Sequence, residues 1–322
     1  MDTEVKTSIQ ATDKEAQYDA SAKRLLGQKI ILAHILVKTV DEFKGMNPQK
    51  IVSFIEGKPY ISAVPVELGF TNKSDQKDGK RIVGFNTENA EINEGLVRFD
   101  IVFYVRMKDG LSQIIINVEA QKNEPTEYAI LNRAIFYVSR LISSQKERDF
   151  QNTNYDDIKQ VYSIWVCMNT DENSINHVHL TNDTLMGSYA WKGKLDLINI
   201  VMIGLSKELP KRDKQYELHR LLGALLSKEL TVDEKLNIIG NEYDIPVEEN
   251  IRKDVSVMCN LSQGIKEDGI AIGRAMGEAA AEAKIITNMY NNGLTADQIA
   301  TVINKDLEEV KAIIQGKEPV TA

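Results

Sequence analysis

The stretch FDIVFYVRMKDGLSQIIINVEAQKNE, residues 99–124, decides the fold class of this chain. Two runs rich in β-branched and aromatic residues, 96–106 and 111–121, flank the dipeptide Asp109-Gly110. Asp-Gly between two such runs is the strongest short-range signal for a β-hairpin. The sequence therefore predicts two antiparallel strands that turn at Asp109 and Gly110.

This turn also predicts which residues lie opposite each other. With Asp109 and Gly110 as the two turn residues, Asp100 pairs with Glu119, and their Cβ atoms would lie about 4.5–5.5 Å apart on one face. Strand alternation returns Gln121 to the same face. Like charges so placed repel each other, and a bound divalent cation would remove the repulsion. Two alternatives remain: the carboxylates pair with Lys or Arg on a solvent-exposed face, or a one-residue bulge breaks the pairing.

The other elements predict a mixed sheet flanked by helices. Apolar residues at helical spacing predict a helix over 127–146, and the short apolar runs 161–168 and 197–205 are typical of strands buried on both faces. Further helices are expected at 22–44, after Pro48 with Asn47 as N-cap, and at 213–230 and 232–240. A strand is expected within 60–70. The expected fold class is α/β with a C-terminal α-helical tail.

The composition is typical of a folded protein and excludes binding of nucleic acid through overall charge. Lys and Arg number 39 against 47 Asp and Glu, a net charge of −8, so any DNA contact must be local. No apolar run is long enough to span a bilayer, and residues 1–17 lack the features of a secretory signal. We therefore expect a cytoplasmic protein without a membrane partner. Cys167 and Cys259 lie far apart and predict neither a disulfide framework nor a zinc site.

The chain is expected to have three parts: a flexible tail over 1–20, an α/β domain over 21–255 and a helical tail over 256–322. The tail ends in two short helical patterns that resemble a helix-turn-helix, with a capping box at Thr295. Its miniature core is expected to contain Leu294, Ile299, Val302, Val310 and Ile313. The second helix begins with acidic residues, which disfavours insertion into a DNA groove. A tail that binds a partner, or through which the chain associates into a homo-oligomer, is at least as well supported.

Aromatic and histidine residues outside the hairpin have simpler expected roles. Core packing is the default for Trp165 and Trp191, because they lie too far apart in sequence to support stacking on bases. His177 and His179 alternate in a polar stretch, so strand periodicity would place them on one face. Two histidines without a third ligand make a metal site improbable.

Several segments together resemble the PD-(D/E)XK nuclease superfamily. They are FDIVFYVRMKDG, IIINVEAQKNE, the helix YAILNRAIFYVSRLISSQ, the strand VYSIWVCM and the Gly/Ala-rich tail. Within the superfamily, the chain is similar to the Rpn-like recombination-promoting nucleases, a group of PD-(D/E)XK nuclease family transposases. The resemblance covers about residues 22–316 and implies a restriction-endonuclease-like core.

The resemblance also implies a magnesium site and a DNA substrate. Asp100 and Glu119 would hold Mg²⁺, with Mn²⁺ as a substitute, because two carboxylates with backbone carbonyls and waters form the oxygen-rich shell that Mg²⁺ prefers. Gln121 stands at the third motif position, where the superfamily has a lysine. Glutamine can orient a water molecule by hydrogen bonding, but it carries no positive charge.

Three further residues are candidates for the site. A carboxylate of the first helix often completes such sites, and Glu42 at the end of the predicted first helix is the candidate; the alternative is an ordinary solvated charge. Arg133 and Arg140 share one face of the helix after the hairpin and could bind phosphate in a bidentate manner. The alternative is that these arginines pair with nearby acids.

The sequence supports two functions from different classes. The first is a Mg²⁺-dependent DNA endonuclease that hydrolyses phosphodiester bonds and, by resemblance, has a role in recombination or in mobile elements. The second is a catalytically degenerate nucleic-acid-binding or protein-interaction module on the same fold, which the acidic net charge and Gln121 favour. The predicted opposition of the Asp100 and Glu119 carboxylates favours the endonuclease.

Overall fold

The computed structural model describes residues 14, 16–61, 74–77, 80–83, 88–90, 96–98, 101–108, 110–119, 128–143, 145–146 and 150–315. The chain divides into two compact units. The larger unit comprises residues 19–258, and the smaller unit combines residues of 1–18 with residues of 259–322. No helix in the described part of the chain is both long and apolar enough to cross a membrane.

A mixed sheet forms the centre of the larger unit. The described strands are β1 (Ile55–Ile61), β2 (Ser74–Lys77), β3 (Lys80–Val83), β4 (Glu88–Ala90), β5 (Leu96–Arg98), β6 (Ile101–Met107), β7 (Gly110–Glu119), β8 (Val161–Thr170), β9 (Ser174–His179) and β10 (Ile198–Ser206). Six of them form one sheet in the order β1-β6-β7-β8-β10-β9. In it, β7, β8 and β10 are parallel, whereas β1, β6 and β9 each run antiparallel to a neighbour.

The two remaining strand pairs, β2 with β3 and β4 with β5, form separate two-stranded sheets. The single strand predicted over 96–106 is therefore wrong, because β5 and β6 belong to different sheets. A continuous run of β-favouring residues cannot reveal where a chain changes its pairing partner. The expected strand within 60–70 begins earlier, at Ile55, and residues 62–70 lie outside the described part.

The described residues of both units also form α-helices, and the α/β fold class predicted from the sequence is confirmed. They are α1 (16–26), α2 (Lys29–Thr39), α3 (Pro48–Ile51), α4 (Ile130–Ser143), α5 (Glu217–Leu226), α6 (Val232–Asn237), α7 (Glu249–Asn291), α8 (Ala296–Ile303) and α9 (Leu307–Ile314). A π-helical turn, Ile238–Glu242, continues α6. Helix α5 is shorter at both ends than predicted. Asn47 caps α3 as expected, since its side chain accepts a hydrogen bond from the Gln49 N–H at 2.9 Å.

The single helix predicted over 22–44 is wrong, because the chain forms two helices there. Helix α1 ends before Gly27, α2 begins at Lys29, and a 3-10 turn follows at Asp41–Phe43. A Cβ atom at Gly27 would lie 2.7 Å from Ile61 Cδ1, so the glycine lets β1 approach closely at the break. Residues 16–20, which the sequence assigned to a flexible tail, are helical.

One face of the sheet packs against α4. The buried residues at this contact include Val102, Val138, Leu141, Trp165 and Ile200. Trp165 is fully buried, as expected from the sequence. Trp191 is 82% exposed, so the core position predicted for it is wrong. It lies in the connection between β9 and β10, where its ring contacts Tyr189 with centroids 5.0 Å apart.

The C-terminal helices form a small core of their own. Ile286, Ile299, Ala300 and Val310 are buried there, and Leu294 and Ile313 pack against them. Val302 is 64% exposed, so its predicted core position is wrong. The capping box at Thr295 is confirmed: its hydroxyl accepts from the Gln298 N–H at 3.3 Å, and its own N–H donates to Gln298 Oε1 at 2.9 Å.

Gln145, beyond the end of α4, is fully buried and links the helix to the strand that follows. Its Nε2 donates to the Lys159 carbonyl at 3.0 Å, and its Oε1 accepts from the Lys159 N–H at 2.7 Å. Gln145→Ala is expected to lower the free energy of unfolding by about 2 kcal/mol or more, because two main-chain groups lose their partner. Urea denaturation measures this, with exposed Gln151→Ala as control. Equal stability of both variants would contradict the prediction.

His34 on α2 gives the larger unit a pH-dependent stability. Burial lowers the pKa of His34 to about 4, against the opposing effect of the Glu217 carboxylate. Below pH 6.5 the unfolded chain binds a proton at this site that the folded protein does not bind, so stability falls with pH down to about 4. We expect His34→Gln to lose less stability than the wild type between pH 7 and pH 5. Thermal unfolding at both pH values tests this, and parallel losses would contradict it.

Candidate functional site

The carboxyl ends of the parallel strands define one edge of the central sheet. Strands β7, β8 and β10 all end there, and Glu119 is the last residue of β7. Its main chain pairs with Cys167 of β8. Ligands of open α/β sheets bind outside the carboxyl ends of the strands. Glu119 is therefore placed where a site is expected, whereas Asp100 and Gln121 lie outside the described residues.

The hairpin exists as predicted, but its register differs by two residues. Phe103 pairs with Ile114, and the ladder ends at Met107 paired with Gly110. The predicted turn at Asp109-Gly110 would instead pair Phe103 with Ile116. The observed register therefore does not support the predicted pairing of position 100 with position 119. A shift by two keeps alternate positions on their original faces, so the expected face of each position is unchanged.

A tertiary contact lies at this turn. Glu42, in the 3-10 turn after α2, accepts a hydrogen bond from the Lys108 main-chain N–H at 2.8 Å. The contact holds Lys108 within the turn. It involves a residue far from the hairpin in sequence, and local turn preferences cannot reveal such a contact.

The same contact places Glu42 away from Glu119. Glu42 binds at the turn, where β7 begins at Gly110, and Glu119 ends the strand nine residues later. At about 3.3 Å per residue, the two ends of β7 are about 30 Å apart. The prediction that Glu42 completes the site with Glu119 is therefore wrong.

Arg133 lies close to the carboxyl end of β7. Its guanidinium is half-buried on α4, 5.6 Å from the centre of the Trp165 ring, and Trp165 pairs with Asn117 of β7. Nε and Nη2 donate to the Tyr137 hydroxyl at 3.1 and 3.0 Å, and Nη1 donates to the Tyr128 hydroxyl at 3.1 Å. Two hydroxyls and an aromatic face thus orient a cation that is still partly exposed, as phosphate binding requires.

Arg140 does not meet that requirement. It is only 4% exposed, and its guanidinium lies 5.9 Å from the centre of the Phe136 ring. The helical spacing places Arg140 and Arg133 on one side of α4. Because the end of the guanidinium is covered, a DNA phosphate cannot reach it in this structure. The predicted phosphate contact of Arg140 is therefore wrong.

No group of three or more His, Cys, Asp or Glu side chains in the described part of the chain is arranged to hold a metal ion. His177 and His179 share a face as predicted, with ring centroids 4.8 Å apart, and His177 Nε2 lies 3.1 Å from Asn199 Oδ1. Asp100 and Glu119 are the predicted metal ligands. Asp100 lies outside the described residues, and for Glu119 the structure describes the main chain. Their role remains a prediction.

A cavity at the same sheet edge was missed by sequence reasoning. It has a volume of about 620 Å³ and is lined by residues from the ends of β8 and β10 and from α5. Asn169, in its wall, has a left-handed backbone with φ 59°. The only sequence signal nearby is the run of cations in KELPKRDK, residues 207–214.

Comparison with known families gives one result. The family model described as PD-(D/E)XK nuclease family transposase matches residues 77–257. The matched range includes the hairpin, α4, and the strands β8 to β10. The comparisons with curated proteins and with solved structures found no match.

Proposed function

This chain belongs to the PD-(D/E)XK nuclease family transposases, and we propose that it is a metal-dependent endonuclease that hydrolyses phosphodiester bonds in DNA. The observation that carries the proposal is the family match across the hairpin and sheet, with Glu119 at the carboxyl end of β7. A role in recombination or in mobile-element biology is part of the proposal. Its support is the family description.

The donor set suits a hard divalent cation. Asp100 and Glu119 offer carboxylate oxygens, and main-chain carbonyls at the strand end can add neutral oxygen ligands; such a set fits Mg²⁺, with Mn²⁺ as a substitute. When bound, the cation supplies Lewis acidity toward a phosphoryl oxygen and lowers the pKa of a water ligand. Asp100 and Glu119 are the residues we propose to hold it.

The other residues of the site act by binding and orientation. Arg133, whose guanidinium donates to two tyrosine hydroxyls, would bind a phosphate oxygen of the DNA backbone near the end of β7. Gln121 would accept a hydrogen bond from the attacking water and so orient it. Glutamine cannot supply the positive charge that lysine brings to this motif position, so the hydrolysis is expected to depend more strongly on the metal.

Cleavage of plasmid and of single-stranded DNA tests the proposal. Wild-type protein is incubated with Mg²⁺, with Mn²⁺ and with EDTA, beside Asp100→Asn prepared identically. We expect cutting only with a divalent cation, and none by the variant. In a parallel measurement without DNA, Mg²⁺ should raise the melting temperature of the wild type and not that of Asp100→Asn.

Two results would contradict the proposal that this chain is an endonuclease. Equal cutting by wild type and Asp100→Asn would indicate a contaminating nuclease, and no cutting under any condition would remove the catalytic assignment. If DNA binding persists without cutting, the degenerate binding module becomes the better assignment. Gln121 in place of lysine and the net charge of −8 are the features that favour it.

A further inference from the structure

The outermost strand of the central sheet, β9, has an open main-chain edge. Its main chain pairs with β10 on one side, and no main-chain hydrogen bond in the described part of the chain joins Ser174–His179 to another element. Five of its six residues are exposed, including Ile175 at 38% and Val178 at 36%. These two side chains lie on opposite faces of the sheet, so the described residues leave β9 exposed on both faces.

The opposite edge of the same sheet, β1, is protected against pairing with another strand. It carries Glu56, Lys58 and Pro59, and its ladder with β6 is irregular between Glu56 and Tyr60. Charged residues, proline and bulges are the features by which natural proteins keep a sheet edge from pairing with another chain. Strand β1 therefore has the features expected of an edge that faces solvent.

Strand β9 has none of these protecting features. Its sequence, SINHVH, contains no proline, and residues 174–182 contain no Lys, Arg, Asp or Glu. Its ladder with β10 is regular over all six residues. An open edge of ordinary strand length without protection is a template for pairing with another strand. The contrast between the two edges of one sheet indicates that β9, unlike β1, is an interaction surface.

A second copy of this chain is the partner that fits the β9 edge. A two-fold axis perpendicular to the sheet places β9 antiparallel to its copy, so that each strand satisfies outer main-chain groups of the other. Two chains of net charge −8 repel each other, but an uncharged strand brings no like charges together. The connection that follows β9 adds apolar surface, since Leu180, Leu185 and Met186 are 48%, 96% and 95% exposed.

We propose that the protein forms a homodimer in which β9 pairs antiparallel with β9 of a second copy and joins the two central sheets into one. Because the two-fold axis keeps each face of the sheet on its own side, the Val178 side chains of both copies share one face. This interface lies in the α/β unit and is distinct from self-association through the C-terminal tail. It does not depend on the proposed nuclease function.

Sedimentation velocity of the full chain over a concentration series tests the dimer. We expect the wild type to pass from monomer to dimer with a dissociation constant of about 1–100 μM, the affinity of a small interface. Val178→Lys should raise this constant about tenfold or more, because lysine protects sheet edges and the two new charges share one face. Val178→Thr, which stays β-branched and uncharged, should dimerise like the wild type.

Tyr60→Lys on β1 is the matched control for the added charge. Tyr60 is 37% exposed, close to the 36% of Val178, and it also lies in an edge strand of the central sheet. Its replacement should leave the dimer unchanged. If Val178→Lys does not fold, hydrogen exchange of the wild type replaces it: the amides of residues 174–179 should exchange more slowly at high than at low protein concentration.

Three outcomes would overturn the inference. The first is a wild type that stays monomeric at every concentration, even if β9 then captures a strand of another protein. The second is a dimer of unchanged affinity in folded Val178→Lys. The third is protection that rises with concentration in residues 259–315 and not in β9, which would assign self-association to the tail. Loss of the dimer in Val178→Lys alone among the three variants supports the β9 interface.

Discussion

Replacement of Glu119 by glutamine is expected to lower the proposed metal-dependent DNA cleavage by about a thousandfold or more, since loss of the proposed ligand carboxylate would remove several kcal/mol of transition-state stabilisation. The substitution keeps the size of the side chain and changes only its charge. The strand pairing of β7 with β8 is made by the main chain and should remain intact. Initial rates on plasmid DNA with Mg²⁺ measure the effect.

Glu42→Gln is the matched control for this prediction. Glu42 accepts the Lys108 N–H at the turn, and a glutamine Oε1 can accept the same bond. Cleavage by Glu42→Gln should equal that of the wild type, because the turn and Glu119 lie at opposite ends of β7. Comparable losses in both variants would contradict the placement of the site at the carboxyl end of β7. Full activity of Glu119→Gln would remove Glu119 from the proposed site.

Trp165→Ala is expected to have the largest effect on stability, about 3–5 kcal/mol of the free energy of unfolding. The side chain is fully buried beneath α4, and its Nε1 donates to the Ser163 hydroxyl at 2.9 Å. Its ring also contacts Tyr137, with centroids 5.6 Å apart. A loss of this size is a large part of the stability of a typical domain, so the variant should unfold at much lower urea concentration. Far-UV circular dichroism follows the transition.

Trp191→Ala provides the comparison. Trp191 is 82% exposed, so its truncation should change the free energy of unfolding by no more than about 0.5 kcal/mol. The two variants remove the same chemical group from opposite environments. Equal destabilisation would contradict the burial assigned to Trp165.

Local patterns predicted the hairpin and most flanking elements because they depend on neighbours in sequence. The β-branched runs on either side of Asp109-Gly110 form β6 and β7, and the apolar runs near 161 and 198 form β8 and β10. Asn47 and Thr295 cap their helices as expected, because a cap needs only a few consecutive residues. The family resemblance read from these segments is confirmed by the match over 77–257.

Predictions that depended on distant contacts were less accurate. The sequence predicted a core position for both tryptophans, yet Trp165 is in the core and Trp191 is on the surface. Helical spacing placed Arg133 and Arg140 on one face, but only the packing of α4 on the sheet shows that Arg140 is covered. Periodicity indicates which side a residue faces and cannot say how deeply neighbouring elements cover it.

By itself, the sequence determined the class of fold, the existence of the hairpin, the alternation of its faces and the family of the chain. All of these follow from the order of residues along single segments. Only the tertiary structure decided the hairpin register, the separation of Glu42 from Glu119, the burial of Arg140, and the presence of a cavity at the carboxyl ends of β8 and β10. Each depends on groups far apart in sequence, such as Glu42 at the Lys108 main chain, whose proximity arises only when the elements pack together.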